Sequence, residues 1–283
     1  MKFKFIEEFI VKIFMIISIL FVFGILISII GIIFYKGISS LNLDIITKTS
    51  NGDFFQGERG GILNAIIGSF YIALGSTFLS FIVSLPIIIY LNLFLKENSN
   101  ISKVMRFIFD VLSGIPSIVF GAFGLSILYF LHMKASLFGG IITVSILVLP
   151  IMCKGIDEVF RLLPKELIET SYALGSTTIE IALKIVFKQT LPGIITAVFL
   201  SFSRGISDAA SVIFTSGYSD NIPTSLFDPA ATLPLSIFFL LLNPSIEIQN
   251  KAYAASLILI LIVFIFSFIS RLIKNKLGKY IVK

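Results

Sequence analysis

The chain has 283 residues, 57% of them hydrophobic and 13% charged, with a formal net charge of +6 and a mean hydropathy of +1.03. Water-soluble domains are about 45–50% apolar and about 25% charged, so this chain has too little polar surface to coat a soluble core. That excludes a soluble globular domain and predicts an all-α fold, a polytopic helical membrane protein.

Thirty Phe residues suit lipid-facing helices, and with no Trp the interfacial anchoring falls to eight Tyr and to Lys and Arg. The single cysteine, Cys153, rules out an intrachain disulfide and a multi-cysteine metal site; it reads as a small buried apolar residue. The single histidine, His132 in "YFLHMKAS", rules out a His-based metal site or triad and reads as interfacial. No catalytic residue and no metal ligand is assigned.

In chain order, the first span is expected at 10–34. It is too long for a signal-peptide apolar region, and no small-residue cleavage site follows, so it is expected to be retained. A polar stretch at 35–61, with "NGDFFQGERGG", completes an N-terminal unit at 1–61. The main body is 62–274. Its first span, 62–95, exceeds the roughly 20 residues a crossing needs, and so tilts or projects. After "KENSNISK" comes a third span at 104–131, broken by Gly114, Pro116 and Ser117. Proline kinks a helix and glycine permits close helix contact. The freed carbonyls either line a pathway or the break is a packing kink; Asp110, one turn before, sits near the interface and has no assigned role.

The fourth span is expected at 138–153 and a polar hairpin at 157–191. The fifth follows at 192–214, and a polar segment at 215–232. The apolar stretch 233–242, bounded by Pro234 and Pro244, is too short to cross and is interfacial or re-entrant. A last span at 252–272 leads to a tail at 275–283. Six spans put both termini on one side. Sixteen of the 22 Lys and Arg fall on that side, five on the other, and Arg204 lies within a span. Positive residues favour the cytoplasm, so both termini and the hairpin are expected there, and topology rather than nucleic acid accounts for the basic charge.

The hairpin is the anomaly. Pro164 suits a helix start, "KELIETSYAL" favours helix, and Gly175 suits the left-handed residue that ends one. Thr177 to Glu180 has capping-box spacing and starts a second helix running to Pro192. Leu167, Tyr172 and Leu174 are available to fill a partner's groove. Residue properties alone also allow a loop that contacts nothing.

Here the sequence resembles the permeases of binding-protein-dependent ABC importers, whose cytoplasmic motif runs Glu-Ala-Ala, three residues, Gly, and ten residues later Ile-x-Leu-Pro. This chain has Glu169, Thr170, Ser171, then Gly175 and Ile185. It departs at Phe187-Lys188, where Leu-Pro is expected; Leu191-Pro192 follows four residues on. The resemblance implies that the first helix, with Glu169, Thr170, Ser171, Tyr172, Leu174 and Gly175, couples to an ATPase subunit. Three further stretches, "SGIPSIVFG", "SRGISDAASVIFTSG" and "DPAATLPLSIF", resemble the A-type permeases of phosphate-specific ABC transporters, over roughly 60–280.

Arg204 also stands out on physical grounds. An ionisable residue in an apolar span is costly and faces the bundle interior or a water-filled cavity. Asp208, four residues on, is expected on the same helix face and able to pair with it. The guanidinium keeps donors free for an anion's oxygen edge. The pair is either a structural ion pair or part of an anion pathway with Gly114, Pro116 and Ser117. The family has Glu where this chain has Asp208.

No Gly-x-x-x-x-Gly-Lys-Ser/Thr loop is present, so this chain is not expected to hydrolyse ATP by that route. The resemblance implies a membrane subunit without catalysis or bound cofactor, with ATP and Mg on a partner ATPase dimer. It also implies a related C-type permease, an extracytoplasmic phosphate-binding protein, and the bacterial cytoplasmic membrane with its lipid, but not nucleic acid. The competing readings are a permease for molybdate or sulfate, an ATPase-independent transporter or channel, and a membrane-bound enzyme.

Overall fold

A computed structural model describes residues 2–50, 60–95 and 99–277. Most of "NGDFFQGERGG", Arg59, Lys96, and the tail from 278 with Lys279 and Lys283 lie outside the described residues. The described chain is helical, without strands. It opens with α1 (Lys2–Ser40) and the short α2 (Leu43–Thr47). Next comes α3 (Leu63–Ile89), which continues as a π-helical turn, Tyr90–Phe94. Then follow α4 (Asn100–Gly114), α5 (Ser117–Phe130), α6 (Leu137–Arg161) and α7 (Lys165–Ala173). After α7, α8 (Thr178–Glu180), a π-helical turn (Ile181–Val186) and α9 (Phe187–Ile206) form one unbroken stretch. The chain ends in α10 (Leu233–Leu242) and α11 (Ile246–Leu277).

Five stretches are long and apolar enough to cross a membrane: Glu7–Ser40, Leu63–Phe94, Leu137–Arg161, Thr178–Ile206 and Ile246–Lys276. The pair α4 and α5 makes a sixth if counted as one broken span. This agrees with about six spans, and α10 is the short apolar helix expected at 233–242.

Several boundaries differ from the sequence expectation. The third span is not a kinked helix: α4 and α5 meet at 101°. Pro116 ends the helical ladder and Ile115 is extended (φ −72°, ψ 131°), as the residue before proline tends to be. Gly114 makes no close helix contact, because a Cβ there would meet nothing within 4 Å. The fourth span runs on to Arg161, so the first residues assigned to the hairpin extend α6. No second helix stops at Pro192. The proline's steric conflict falls on the turn before it, just past a π-helical segment whose ladder is already wider. The fifth span ends at Ile206 instead of 214, and a series of turns follows.

In lipid, helices associate through close packing more than through a hydrophobic drive. The main cluster unites Ile88, Leu91, Phe109, Ile156, Phe160 and Val186, joining α3, α4, α6 and the 178–206 stretch at the hairpin end. At the opposite end small residues set the spacing. A Cβ on Gly139 would lie 2.7 Å from Leu128 Cδ1 and from the Thr215 carbonyl.

Residues 207–232 are irregular, and part of their backbone is bonded to neighbouring elements, the way non-helical chain in a membrane protein is accommodated. Leu137 N–H donates to the Asp228 carbonyl (2.8 Å) and Phe138 N–H to that of Leu226 (2.8 Å). With Ser136 Oγ accepting from Gly139 N–H (3.3 Å), the segment caps the first turn of α6. Leu233 N–H donates to Ser69 Oγ (2.7 Å), and Asn64 Nδ2 to the Ser219 carbonyl (2.7 Å), fixing the segment to α3.

Candidate functional site

The hairpin is a tightly closed turn. Ser176 N–H donates to the Ser171 carbonyl (3.1 Å) and Gly175 N–H to that of Tyr172 (2.9 Å). This is the paired pattern of a Schellman end, made possible by Gly175 at φ +83°. Thr177 and Glu180 then form the expected capping box, closed in both directions, and Tyr172 Oη donates to Thr178 Oγ1 (3.2 Å) across the turn. The sequence-assigned residues do not all share one face. Glu169, Thr170, Tyr172, Leu174 and Gly175 are exposed, whereas Ser171 is buried and donates to the Leu167 carbonyl (2.6 Å). Leu167 is half-buried, so it is not available to a partner's groove in the way Leu174, 81% exposed, is. The 3.6-residue period turns Leu167, Ile168 and Ser171 toward the chain's own core.

Arg204 lies in the last turn of α9, and its Nη1 is 3.3 Å from Asp208 Oδ1. Asp208 is not on the same helix as expected: α9 ends at Ile206, and Asp208 opens the next turn, its Oδ2 accepting from Ser211 N–H (2.8 Å). The two side chains differ in burial, at 3% exposed for Asp208 and 42% for Arg204. The carboxylate is therefore fixed inside while the guanidinium reaches the surface. Gly114 and Pro116 are exposed and Ser117 is half-buried. The polar partners of Asp208 are Arg204 and Ser211 and include none of these three. Their link to it is Gly121, one turn into α5, which lies against the carbonyls of Ala210 and Ser211.

A third constellation went unnoticed in the sequence. Arg106 on α4 grips Asp157 on α6 with two donors, Nε to Oδ2 (2.8 Å) and Nη2 to Oδ1 (3.1 Å). Asn92, in the π-helical turn after α3, donates from Nδ2 to Asp157 Oδ1 (2.7 Å) and accepts from Arg106 Nη2 (3.1 Å). One turn along, Lys154 Nζ pairs with Asp110 Oδ1 at 2.8 Å, so Asp110 has a partner after all. The available signal was opposite charge at matched spacing: Arg106 and Asp110 on one helix, Lys154 and Asp157 on another.

Cys153 is fully buried, as expected, and His132 is exposed with φ 54°. No group of three or more His, Cys, Asp or Glu able to hold a metal occurs among the described residues.

Residues 84–279 match the family described as the binding-protein-dependent transport system inner membrane component. The chain belongs to this family. It is 32% identical over 244 residues to the phosphate transport system permease protein PstA of Yersinia pestis, spanning 85% of this chain and 81% of that protein. It is 33% identical over 221 residues to PstA 2 of Mycobacterium bovis, spanning 77% and 73%. An inward-facing structure of the MetNI methionine ABC transporter superposes with a TM-score of 0.61 at 16% identity, covering 76% of this chain and 95% of that one; this is a likeness of fold. This transport component is thus a multi-pass inner-membrane protein. The family match takes in the hairpin, the Arg204–Asp208 pair and the α4–α6 ion pairs, and leaves α1 outside it.

Proposed function

We propose that this chain is the permease subunit of an ATP-driven importer that carries inorganic phosphate into the cell. The observation that carries the reading is the hairpin, a rigid turn that holds Tyr172 and Leu174 away from its own core on a stable two-helix base. Such a surface suits docking in a groove of an ATPase subunit. That partner holds ATP and its Mg. A related permease completes the pathway, and an extracytoplasmic binding protein delivers the anion. Both termini and the hairpin face the cytoplasm.

ATP binding closes the ATPase dimer and draws the hairpin with it. The spans then open outward, accept phosphate, and return inward after hydrolysis. Arg204 supplies transient charge to the anion, while buried Asp208 keeps the guanidinium oriented and limits how tightly the anion is held. Molybdate and sulfate also present oxygen edges to a guanidinium; the phosphate relatives favour phosphate.

The test is capture by a tagged ATPase subunit, comparing the native chain with Glu169→Lys and Gly175→Pro, followed by uptake of labelled phosphate with Arg204→Gln. Loss of capture in both hairpin variants and loss of uptake in the third support the reading. Capture unaffected by either hairpin variant would remove the coupling role, and normal uptake with Arg204→Gln would remove Arg204 from the pathway.

A further inference from the structure

We infer that Asn92, Arg106 and Asp157 form the joint through which movement of the hairpin reaches the break at Gly114–Ser117, with α4 as the lever between them. This rests on the importer reading above and assigns these three residues a positioning role.

Three observations carry it. First, α4 is lightly buried: Ser102 and Phe109 are its buried residues and Met105 is partly buried against the core. Polar contacts supply much of the rest, the two ion pairs to α6, the Arg106–Asn92 bond and Ser102 Oγ donating to the Leu91 carbonyl (3.5 Å). Second, α4 has open space on both sides. A cavity of about 250 Å³ lies toward the hairpin, walled by Asn92 and Arg106 on one side and Ile168 and Glu169 on the other. A cleft of about 500 Å³ lies on the far side, bordered by Arg106, Asp110, Lys154 and Asp157. Third, α4 ends at a 101° break, and the helix beyond it, α5, rests through Gly121 on the turn that follows Asp208. Asp157 thus holds the clamp on α6 four residues before Arg161, where α6 gives way to the hairpin, and α4 and α5 lead from the clamp to the break and the Asp208 turn.

The chemistry suits a joint that must hold one register and then release. The fork of Arg106 on the Asp157 carboxylate fixes position and angle together. Asn92, from the turn that continues α3, donates to Oδ1 as well, so three helical segments are indexed at one carboxylate. Apolar contacts would hold α4 as well but would let it slide. Loss of an ion pair that has water-accessible space beside it is reversible, since either charge can be solvated as α4 moves.

The experiment uses the whole transporter, both permeases with ATPase dimer and binding protein, in liposomes, measuring phosphate imported per ATP hydrolysed. Arg106→Gln and Asp157→Asn are expected to lower that ratio by roughly fivefold or more, and exchanging the charges, Arg106→Asp with Asp157→Arg, to restore part of it. A purely structural role lowers transport and hydrolysis in proportion; an unchanged ratio in assembled variant complexes overturns the inference. If Arg106→Gln does not assemble, Lys154→Gln opens the more exposed pair and is expected to lower the ratio about twofold, with no change again overturning it. A wild-type complex that hydrolyses ATP without importing phosphate overturns the importer reading itself, and this inference with it.

Discussion

Asp208 divides its carboxylate between two tasks, with Oδ1 facing the Arg204 guanidinium at 3.3 Å and Oδ2 accepting from Ser211 N–H at 2.8 Å. The same residue thus ends α9, starts the next turn and orients a charge. Asp208→Asn keeps an acceptor for Ser211 and loses the charge, which for a half-exposed guanidinium costs about 1 kcal/mol. Asp208→Ala loses both and costs about 3 kcal/mol. Unfolding of the two variants in detergent tests the division; equal losses would mean that the Ser211 bond contributes nothing.

Gly175 at φ +83° is where a side chain is resisted by the backbone alone, since a Cβ there would meet open space. Gly175→Ala is expected to cost about 1–2 kcal/mol in local stability of the turn, with Gly175→Asn milder because Asn tolerates that conformation. Amide exchange at Ser176, whose N–H closes the turn, reports the loss. The same order, Gly, Asn, Ala, is expected for capture of the ATPase subunit.

Two glycines make a matched contrast. Gly139→Ala pushes a methyl into Leu128 and the Thr215 carbonyl, an overpacking expected to cost about 1–3 kcal/mol. Gly114→Ala meets nothing and is expected to leave stability unchanged or raise it by about 0.5–1 kcal/mol through helix propensity. Melting temperatures should move in opposite directions or only the first should fall. A larger fall for Gly114→Ala would mean that the open space beside it is filled.

Asp228 gives a pH dependence outside the spans. Its carboxylate accepts from the N–H groups of Ser225 (2.8 Å) and Thr224 (2.9 Å) and from Thr224 Oγ1 (2.9 Å). Those bonds, the Ser225 N–H first, hold its pKa below the ordinary value. A depressed folded pKa means the stabilisation is complete above the unfolded value, about 3.9, and is lost as pH falls through the lower folded value. Amide exchange at Thr224 and Ser225, corrected for intrinsic rates, should be flat from pH 5 upward and accelerate only in stronger acid. Asp228→Asn should accelerate it at neutral pH.

The all-helical fold and its span count were legible because apolar run length determines them, and the hairpin because Pro164, Gly175 and the Thr177–Glu180 pair punctuate it chemically. Three features were not. The end of α9 was invisible because "GISDAASVIF" stays apolar past Ile206; the stop comes from Asp208 binding the next turn's N–H, a choice hydropathy does not register. The right angle between α4 and α5 was underestimated because Pro116 announces a break without its angle, which packing on α6 and on Ala210–Ser211 decides. The motif sets Ser171 beside exposed residues because motif membership says nothing of which face a helix buries, and Leu167 reads as free for a groove because an apolar residue on a short helix suits a partner's core and the chain's own core alike. The Asn92–Arg106–Asp157 clamp draws on three separated segments, and charges counted only for topology concealed their pairing.

The capping of α6 by the carbonyls of Leu226 and Asp228 has a consequence for how the chain is made. The ribosome completes α6 well before it reaches Leu226, so until then the first-turn N–H groups of Leu137 and Phe138 lack their final acceptors. In hydrocarbon such groups are costly, so that end of α6 must wait near water or lipid headgroups. Synthesis of the last third of the chain thus completes the cap of α6, and a nascent chain halted after Ile206 would hold α6 and its packing partners without the two carbonyls that close its first turn.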